Sequence, residues 1–278
     1  MRPTRVPQTN VYGTTKITAR RPAAWSYHQR CVAEATSPSY GDEMAVRLEA
    51  VRFEVADALA VAAFWAGLLG REVRAEPGGA FVLGDTRQVG LRFVTSRTEQ
   101  VGRPRLHLHL TSSSLEHQRR TVERALRLGG RRIDVGQAPG DAHVVLADPG
   151  GNELCVIEPG NTYLAGTGYL GEVTCDGSRN VGMFWRDALG WPLVWDKDEQ
   201  TAVQSPLGGT KISWDLWGGG PPVQRKSGRN RQSFDLVTDD PSSEAERLVS
   251  LGARRLSDLS DGVEMADPDG NEFRLRAN

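Results

Sequence analysis

Cysteines, aromatic residues and long apolar runs are all scarce in this chain of 278 residues. Its three cysteines, Cys31, Cys155 and Cys175, are far apart and lack Cys-x-x-Cys spacing, which argues against a disulfide framework. No apolar run approaches the roughly 18 residues of a spanning helix. The 34 basic side chains do not exceed the 35 acidic ones, as they do in most nucleic-acid-binding proteins. We therefore expect a cytoplasmic protein without nucleic-acid or membrane partners.

Hydrophobic periodicity is also missing from the first 43 residues, which are polar and interrupted by proline. Such a composition predicts a disordered or loosely attached arm over residues 1–43. Met44 begins the first patterned segment, so both Met1 and Met44 remain candidates for the translation start.

An internal repeat with a period of about 120 residues dominates the remainder of the chain. The segment FWAGLLGREV at 64–73 matches FWRDALGWPL at 184–193, and LGGRR from Leu128 matches LGARR from Leu251. VVLADPGGNEL from Val144 likewise matches VEMADPDGNEF from Val263. Matches in one order and at nearly one offset predict two related domains, at 47–159 and 168–278.

Each predicted domain has two halves of the order β-α-β-β-β. In the first half, residues 51–55 alternate like a strand, and 58–70 have helical spacing ended by Gly70. The spacing predicts that one apolar stripe of this helix faces the core, formed by Leu59, Ala62, Ala63, Ala66 and Leu69. In the second half, a strand at 106–110 and a helix over about 115–128 precede further short strands.

Two copies of an Asp-Pro-x-Gly-Asn-Glu motif begin at Asp148 and Asp267. Aspartate bonds back to the backbone, proline presets φ, and glycine and asparagine tolerate positive φ. Every residue type in the motif is therefore explained by a tight turn before a final strand. We predict a structural role for it.

The repeated FW helix, the LGxRR element and the DPxGNE turn resemble the vicinal oxygen chelate superfamily. That group includes glyoxalase I, extradiol dioxygenases, fosfomycin-resistance thiol transferases and bleomycin-binding proteins, and the chain is most similar to actinobacterial glyoxalase-like domains. The resemblance implies an α+β fold of two tandem glyoxalase-like domains. Each would consist of two βαβββ modules forming a cupped mixed sheet with helices outside. Because the modules can pair within one chain, it also implies a monomeric pseudo-dimer or a weak homodimer.

In metal-binding members of this superfamily, the ligands come from first and last strands of the modules. The resemblance puts Ala50 and Leu170 at the first ligand position, where neither side chain can bind a metal. It puts His107 and Ser233 at the second position, and Cys155 and Arg274 at the third. Since one family ligand survives, we predict no metal cofactor. A nonstandard zinc site of His107 and His109 with Glu153 or Cys155 stays open as an alternative.

Strand alternation predicts which polar side chains face the two cavities. His107 and His109 lie opposite three leucines on one strand and are the candidate catalytic residues. The candidate ligand-binding residues are Arg52, Glu54, Glu153, Cys155, Glu172, Ser233, Asp235, Glu272 and Arg274. Asp235, Glu272 and Arg274 could orient a zwitterionic or carboxylated ligand, or they could neutralise one another.

Three functions remain open at this level. The leading hypothesis is metal-free binding of a small organic molecule, such as an antibiotic or secondary metabolite. The second is a lyase, isomerase or oxygenase that uses His107 or His109 as acid and base. The third is an interaction module whose cavities are filled by side chains. Fold resemblance alone does not choose among them.

Overall fold

A computed structural model describes residues 46–97, 104–136, 140–215, 226 and 228–278. The predicted arm at 1–43 and both candidate starting methionines lie outside the described residues. The order β-α-β-β-β occurs four times, as predicted. We number these units modules 1 to 4. No helix in the described ranges is long and apolar enough to cross a membrane.

The bounds of the elements follow the four modules in chain order. The helices are α1 (Ala58–Leu69), α2 (Leu115–Arg127), α3 (Arg179–Leu189) and α4 (Pro241–Ser250). The strands of modules 1 and 2 are β1 (Arg47–Val55), β2 (Val73–Glu76), β3 (Gly79–Val82), β4 (Gly90–Thr95), β5 (Leu106–Leu110), β6 (Arg131–Arg132), β7 (Val144–Ala147) and β8 (Glu153–Val156). The strands of modules 3 and 4 are β9 (Leu170–Asp176), β10 (Leu193–Lys197), β11 (Gln200–Gln204), β12 (Lys211–Asp215), β13 (Gln232–Thr238), β14 (Arg254–Leu259), β15 (Gly262–Ala266) and β16 (Glu272–Ala277).

The strands form two eight-stranded mixed sheets, which confirms the predicted α+β class. Sheet A has the order β14-β15-β16-β13-β1-β4-β3-β2, and sheet B the order β10-β11-β12-β9-β5-β8-β7-β6. At the centre of each sheet two modules meet through their first strands, β1 with β13 and β5 with β9, in antiparallel register.

The structure differs from expectation in which modules share a sheet. Sheet A joins modules 1 and 4, and sheet B joins modules 2 and 3, so each sheet takes one module from each predicted domain. Within each of the four modules, the first strand leaves one edge open, and this edge needs a strand from another module as its neighbour. The alternation along one strand does not encode which of the other first strands becomes that neighbour.

Helix α1 confirms the predicted element but not its predicted buried face. Asp57 caps its first turn by accepting from the Ala60 backbone amide at 3.0 Å, and Gly70 ends it at φ 68°. Leu59, which we placed on the core stripe, is 64% exposed, whereas Phe64 and Trp65 are buried. The helix is apolar on almost every side, so its spacing does not single out one face. The large aromatic rings gain most from burial and determine the orientation.

In both repeats, the tryptophan of the FW helix contacts the aspartate of the DPxGNE turn in the core. The Trp65 indole Nε1 donates to Asp148 Oδ2 at 2.9 Å, and Trp185 Nε1 donates to Asp267 Oδ2 at 3.3 Å. Asp148 also accepts from the Asn152 backbone amide at 2.9 Å, which closes the predicted turn. Burial raises the pKa of Asp148, although its hydrogen bonds act in the opposite direction. Because modules 1 and 2 belong to different sheets, the bond from Trp65 to Asp148 joins sheet A to sheet B.

Candidate functional site

Each sheet has an apolar face, which packs in the core, and an opposite face that we call its cup. On β5, Leu106, Leu108 and Leu110 lie in the core, while His107 and His109 alternate with them and lie in the cup of sheet B. This arrangement agrees with the predicted alternation of the strand. The cup of sheet B therefore contains both candidate catalytic histidines.

Neighbouring strands bring acidic and thiol groups to these histidines. His109 is in register with Glu172 on β9 and with Cys155 on β8. The His109 Nδ1 and Glu172 Oε2 atoms are 2.7 Å apart, and the Nε2 atoms of His107 and His109 are 2.8 Å apart. One donor atom from each of His107, His109 and Cys155 lies within 4.8 Å of the others. We call His107, His109, Cys155 and Glu172 the imidazole cluster.

The electrostatics of the imidazole cluster depend on Cys155 and Glu172, which flank His109. Burial lowers the pKa of His109, but hydrogen bonds with Cys155 and Glu172 outweigh it and raise that pKa to about 10. Burial raises the pKa of Glu172, but His109 and Ser213 hold it below its ordinary value. With a proton on each nitrogen, His109 donates to Glu172 through Nδ1 and to His107 through Nε2.

An apolar wall adjoins the imidazole cluster. Cys155 packs with Val145, Ile157 and Leu164 in a second hydrophobic group separate from the main core. Leu164 and the neighbouring Tyr163 belong to the segment between modules 2 and 3, which therefore lies against the cup. The cup of sheet B thus combines an apolar wall with the hydrogen-bonding side chains of the imidazole cluster.

Lys211 fixes that connecting segment to the sheet. Its Nζ donates to the Tyr163 carbonyl oxygen and lies 4.4 Å from the centre of the Tyr163 ring. The same ring stands edge-on to Trp195, with 5.5 Å between ring centres. Burial lowers the pKa of Lys211, while the charge of Glu172 acts to raise it.

The donor set of the imidazole cluster fits a divalent cation of the zinc type. Two imidazole nitrogens and a thiol, converging within 4.8 Å, are ligands that zinc favours. Glu172 on the far nitrogen of His109 matches the carboxylate partner that metal-bound histidines usually have. The predicted alternative zinc site therefore has a geometric basis in His107, His109 and Cys155, and not in Glu153.

The cup of sheet A contains fixed charges instead. Arg92 on β4 is 3% exposed in its side chain, and it donates to Asp235 at 2.6 Å and to Glu49 at 2.7 Å. Its Nε donates to Glu76 at 2.8 Å. Burial lowers the pKa of Arg92, but these carboxylates outweigh burial and raise it further above its ordinary value. Arg92 is therefore a fully paired buried cation.

The alternative in which Asp235, Glu272 and Arg274 neutralise one another is not what the structure shows. Asp235 binds Arg92, and Glu272 pairs with Lys226 instead. The nearest carboxylate oxygen to Arg274 Nε belongs to Glu264 and is 3.9 Å away. The sequence did not exclude this alternative because the actual partners come from β4, β15 and a loop, which the strand containing Arg274 does not reveal.

The predicted site residues divide between the two cups. The cup of sheet B contains His107, His109, Glu153, Cys155 and Glu172, whereas the cup of sheet A contains Arg52, Glu54, Ser233, Asp235, Glu272 and Arg274. Glu172 lies in the predicted second domain, yet it belongs to the cup of sheet B with residues of the first, because β9 pairs with β5 and not with β13.

Sequence reasoning did not identify several residues of the two cups. Arg92, Lys211 and Tyr163 each contact a predicted site residue or the segment over it. A signal was present for Arg92, since it alternates with Leu91 and Phe93 and so had to face away from the core. No comparable signal marks Tyr163, which lies in an irregular connection.

Two further openings lie beside the cups. A groove of about 1090 Å³ is lined by Glu49 and Phe81 among other residues, and the Phe81 ring lies 4.4 Å from the guanidinium carbon of Arg92. A cavity of about 30 Å³ is lined in part by Ser233 and Glu272. The groove is lined by none of the predicted site residues.

Comparison with known proteins agrees with this architecture. The family model described as a glyoxalase-like domain matches residues 50–157 and 172–276. Glyoxalase I from Zea mays is 17% identical with a TM-score of 0.59, over 84% of this chain and 92% of the maize chain. A putative dioxygenase from Bacillus subtilis is 13% identical with a TM-score of 0.54, over 83% of this chain and 84% of its own. No curated protein matches the chain.

The paired modules and the two cupped sheets define a class of proteins that share this scaffold. The chain belongs to the glyoxalase-like domain family, within the vicinal oxygen chelate superfamily that its motifs indicated. At these identities, the solved structures demonstrate the fold and not an activity. The predicted domain boundaries, 47–159 and 168–278, remain predictions.

Proposed function

We propose that this chain binds a small organic molecule in the cup of sheet B, directly through its side chains. The observation that supports the proposal most is the imidazole cluster beside an apolar wall. Ligand sites are commonly apolar with a few convergent polar groups, which is the combination found here. The ligand would place an apolar body against Val145, Ile157 and Leu164, and a head group with hydrogen-bond acceptors on the cluster.

The hydrogen bonds of the cluster support binding without a metal. The two nitrogens of His109 already meet Glu172 and His107 at 2.7 and 2.8 Å, so these buried groups are satisfied by one another. The same pair supports the alternative of an enzyme, because Glu172 fixes one nitrogen of His109 and leaves a proton on the other at Nε2. The Tyr163 segment, which lies against the cup, is the basis of the third hypothesis, an interaction module.

We also propose that the protein is cytoplasmic and works as a monomer. Cys155 and Cys175 are both free thiols, which suits a reducing compartment. The four modules complete both sheets within one chain, so their first strands need no second copy.

A fluorescent probe with an apolar body and an anionic head tests binding in the cup of sheet B. We expect 8-anilinonaphthalene-1-sulfonate to bind the folded chain saturably. The His109→Gln/Glu172→Gln double variant keeps hydrogen-bonding groups and removes both charges, and it should weaken binding at least about tenfold. Fluorescence titration measures both affinities. His117→Gln, on helix α2 outside the imidazole cluster, is the matched control and should bind like the wild type. Equal affinity in the double variant would contradict the proposal.

A second candidate function, a zinc-dependent one, is favoured by the convergence of His107, His109 and Cys155. If a cation binds, these three residues would hold it while Glu172 orients His109, and the cation would supply Lewis acidity to a bound oxygen atom.

Elemental analysis separates the two candidates. We expect the full chain, purified in metal-free buffer, to contain much less than one divalent ion per molecule, because the imidazoles satisfy each other. Zinc at about one ion per chain, lost in a His107→Ala/His109→Ala variant, would establish the metal-dependent function instead. Circular dichroism of the variant verifies that it remains folded.

A further inference from the structure

The cup of sheet A contains an arginine that no described residue neutralises at close range. Arg52 on β1 is 8% exposed, and its Nε is buried without a hydrogen-bond partner in the described part of the chain. Burial lowers the pKa of Arg52, Asp235 acts to raise it, and the charge of Arg274 lowers it further. A buried guanidinium without a close partner reduces stability, so folding alone does not explain its position.

Two more atoms of the same cup lack partners. Arg274 Nε and Asp235 Oδ1 are buried and form no hydrogen bond with described residues. Arg274 on β16 is in register with Asp235 on β13. Asp235 is in turn in register with Ala50, two residues before Arg52. The cup therefore presents, on three adjacent strands, two guanidinium Nε atoms and one carboxylate oxygen that form no hydrogen bond with described residues.

The acidic neighbours determine the kind of ligand that fits. Glu54 and Glu264 lie in the same region and share Arg229, whose guanidinium is 3.5 and 2.6 Å from their carboxylates. So many carboxylates disfavour a purely anionic ligand such as phosphate. The unpaired Asp235 oxygen also calls for a donor on the ligand, since a buried acceptor without one is costly.

We propose that the cup of sheet A binds a small amino carboxylate, with its carboxylate on Arg52 and Arg274 and its ammonium group on Asp235. Guanidinium groups bind carboxylates in a planar two-pronged geometry. The ligand would satisfy the three unpaired atoms at once. This site is independent of the imidazole cluster, which lies in the other sheet, so either proposal can fail without the other.

Binding is tested with glycine, β-alanine and γ-aminobutyrate as probes of increasing charge separation, and with acetate and methylammonium as half-ligands. We expect one amino carboxylate to bind with a millimolar or tighter dissociation constant, at least about tenfold tighter than either half-ligand. Isothermal titration calorimetry on the full chain gives the affinities. Acetate binding as tightly as the best probe, or no binding by any probe, would overturn the proposal.

Variants distinguish a ligand site from a structural role. Arg52→Met should weaken the best probe at least about tenfold while leaving the melting temperature unchanged or higher, because it removes an unpaired buried charge. Arg52→Lys keeps the positive charge but loses the planar two-pronged geometry of the guanidinium group, and it should weaken binding less than Arg52→Met. Arg276→Met, on the same face of β16 but paired with Asp261 at 2.9 Å, is the control and should bind normally. A lower melting temperature of Arg52→Met with unchanged affinity would assign Arg52 a structural role.

Discussion

Replacing Arg92 with methionine should destabilise the protein by about 3–5 kcal/mol, the usual loss when one partner of a buried ion pair is removed. Arg92 is almost fully buried and is the close cation of Asp235, which is itself 0% exposed. Without the guanidinium, Asp235 would be a buried charge without a close counter-ion, and Glu49 and Glu76 would lose their bonds as well. Urea unfolding of the variant and the wild type gives the difference in free energy.

Two matched variants test the reason for this loss. Arg47→Met removes a cation from the same sheet, but Arg47 is 61% exposed and 3.9 Å from Glu49, so we expect a change within roughly 0.5 kcal/mol. In an Arg92→Met/Asp235→Asn double variant, the buried charge is gone, and part of the lost stability should return. A loss below about 1 kcal/mol for Arg92→Met would show that the buried charges are screened.

Sequence reasoning identified the elements of the fold better than their pairing. The helix at 58–70 followed from spacing and from Gly70, both of which are local properties. Its buried face did not follow, because apolar residues surround the helix and the tertiary contacts of Phe64 and Trp65 determine the orientation. The pairing of β1 with β13 depends on strands far apart in the chain, so no local pattern could indicate it.

In the candidate site, too, the properties of a single strand could be predicted from the sequence, whereas contacts between strands could not. Alternation along β5 placed His107 and His109 on one face, since that property needs one strand only. The bond from His109 to Glu172 spans 63 residues and crosses from one predicted domain to the other. The face of its strand on which a single residue lies could therefore be predicted, whereas its cup and its partners could not. The partners decide the chemistry, because Cys155 and Glu172 raise the pKa of His109 and Arg92 neutralises Asp235.

The repeated aspartate of the DPxGNE turn, for which we predict a structural role, should be as important for stability as Arg92. Asp148 is 0% exposed and accepts from Trp65 Nε1 and from both the backbone and side-chain nitrogens of Asn152. Asp148→Ala leaves these buried donors unsatisfied, at about 1–3 kcal/mol each, so we expect a loss of about 3 kcal/mol or more. Urea unfolding measures it, and Asp57→Ala, which removes an exposed helix cap, should lose about 1 kcal/mol as the control.

The position of Asp148 also predicts which parts of the protein lose local stability in the Asp148→Ala variant. Trp65 belongs to module 1 in sheet A and Asp148 to module 2 in sheet B, so their bond connects the sheets, not the strands within one sheet. Amide hydrogen exchange of Asp148→Ala should therefore show faster exchange in helix α1 and in the turn at 148–152, with the centres of both sheets changed least. Exchange that increases equally along all strands would contradict a connecting role and leave Asp148 as one buried hydrogen-bonding group among many.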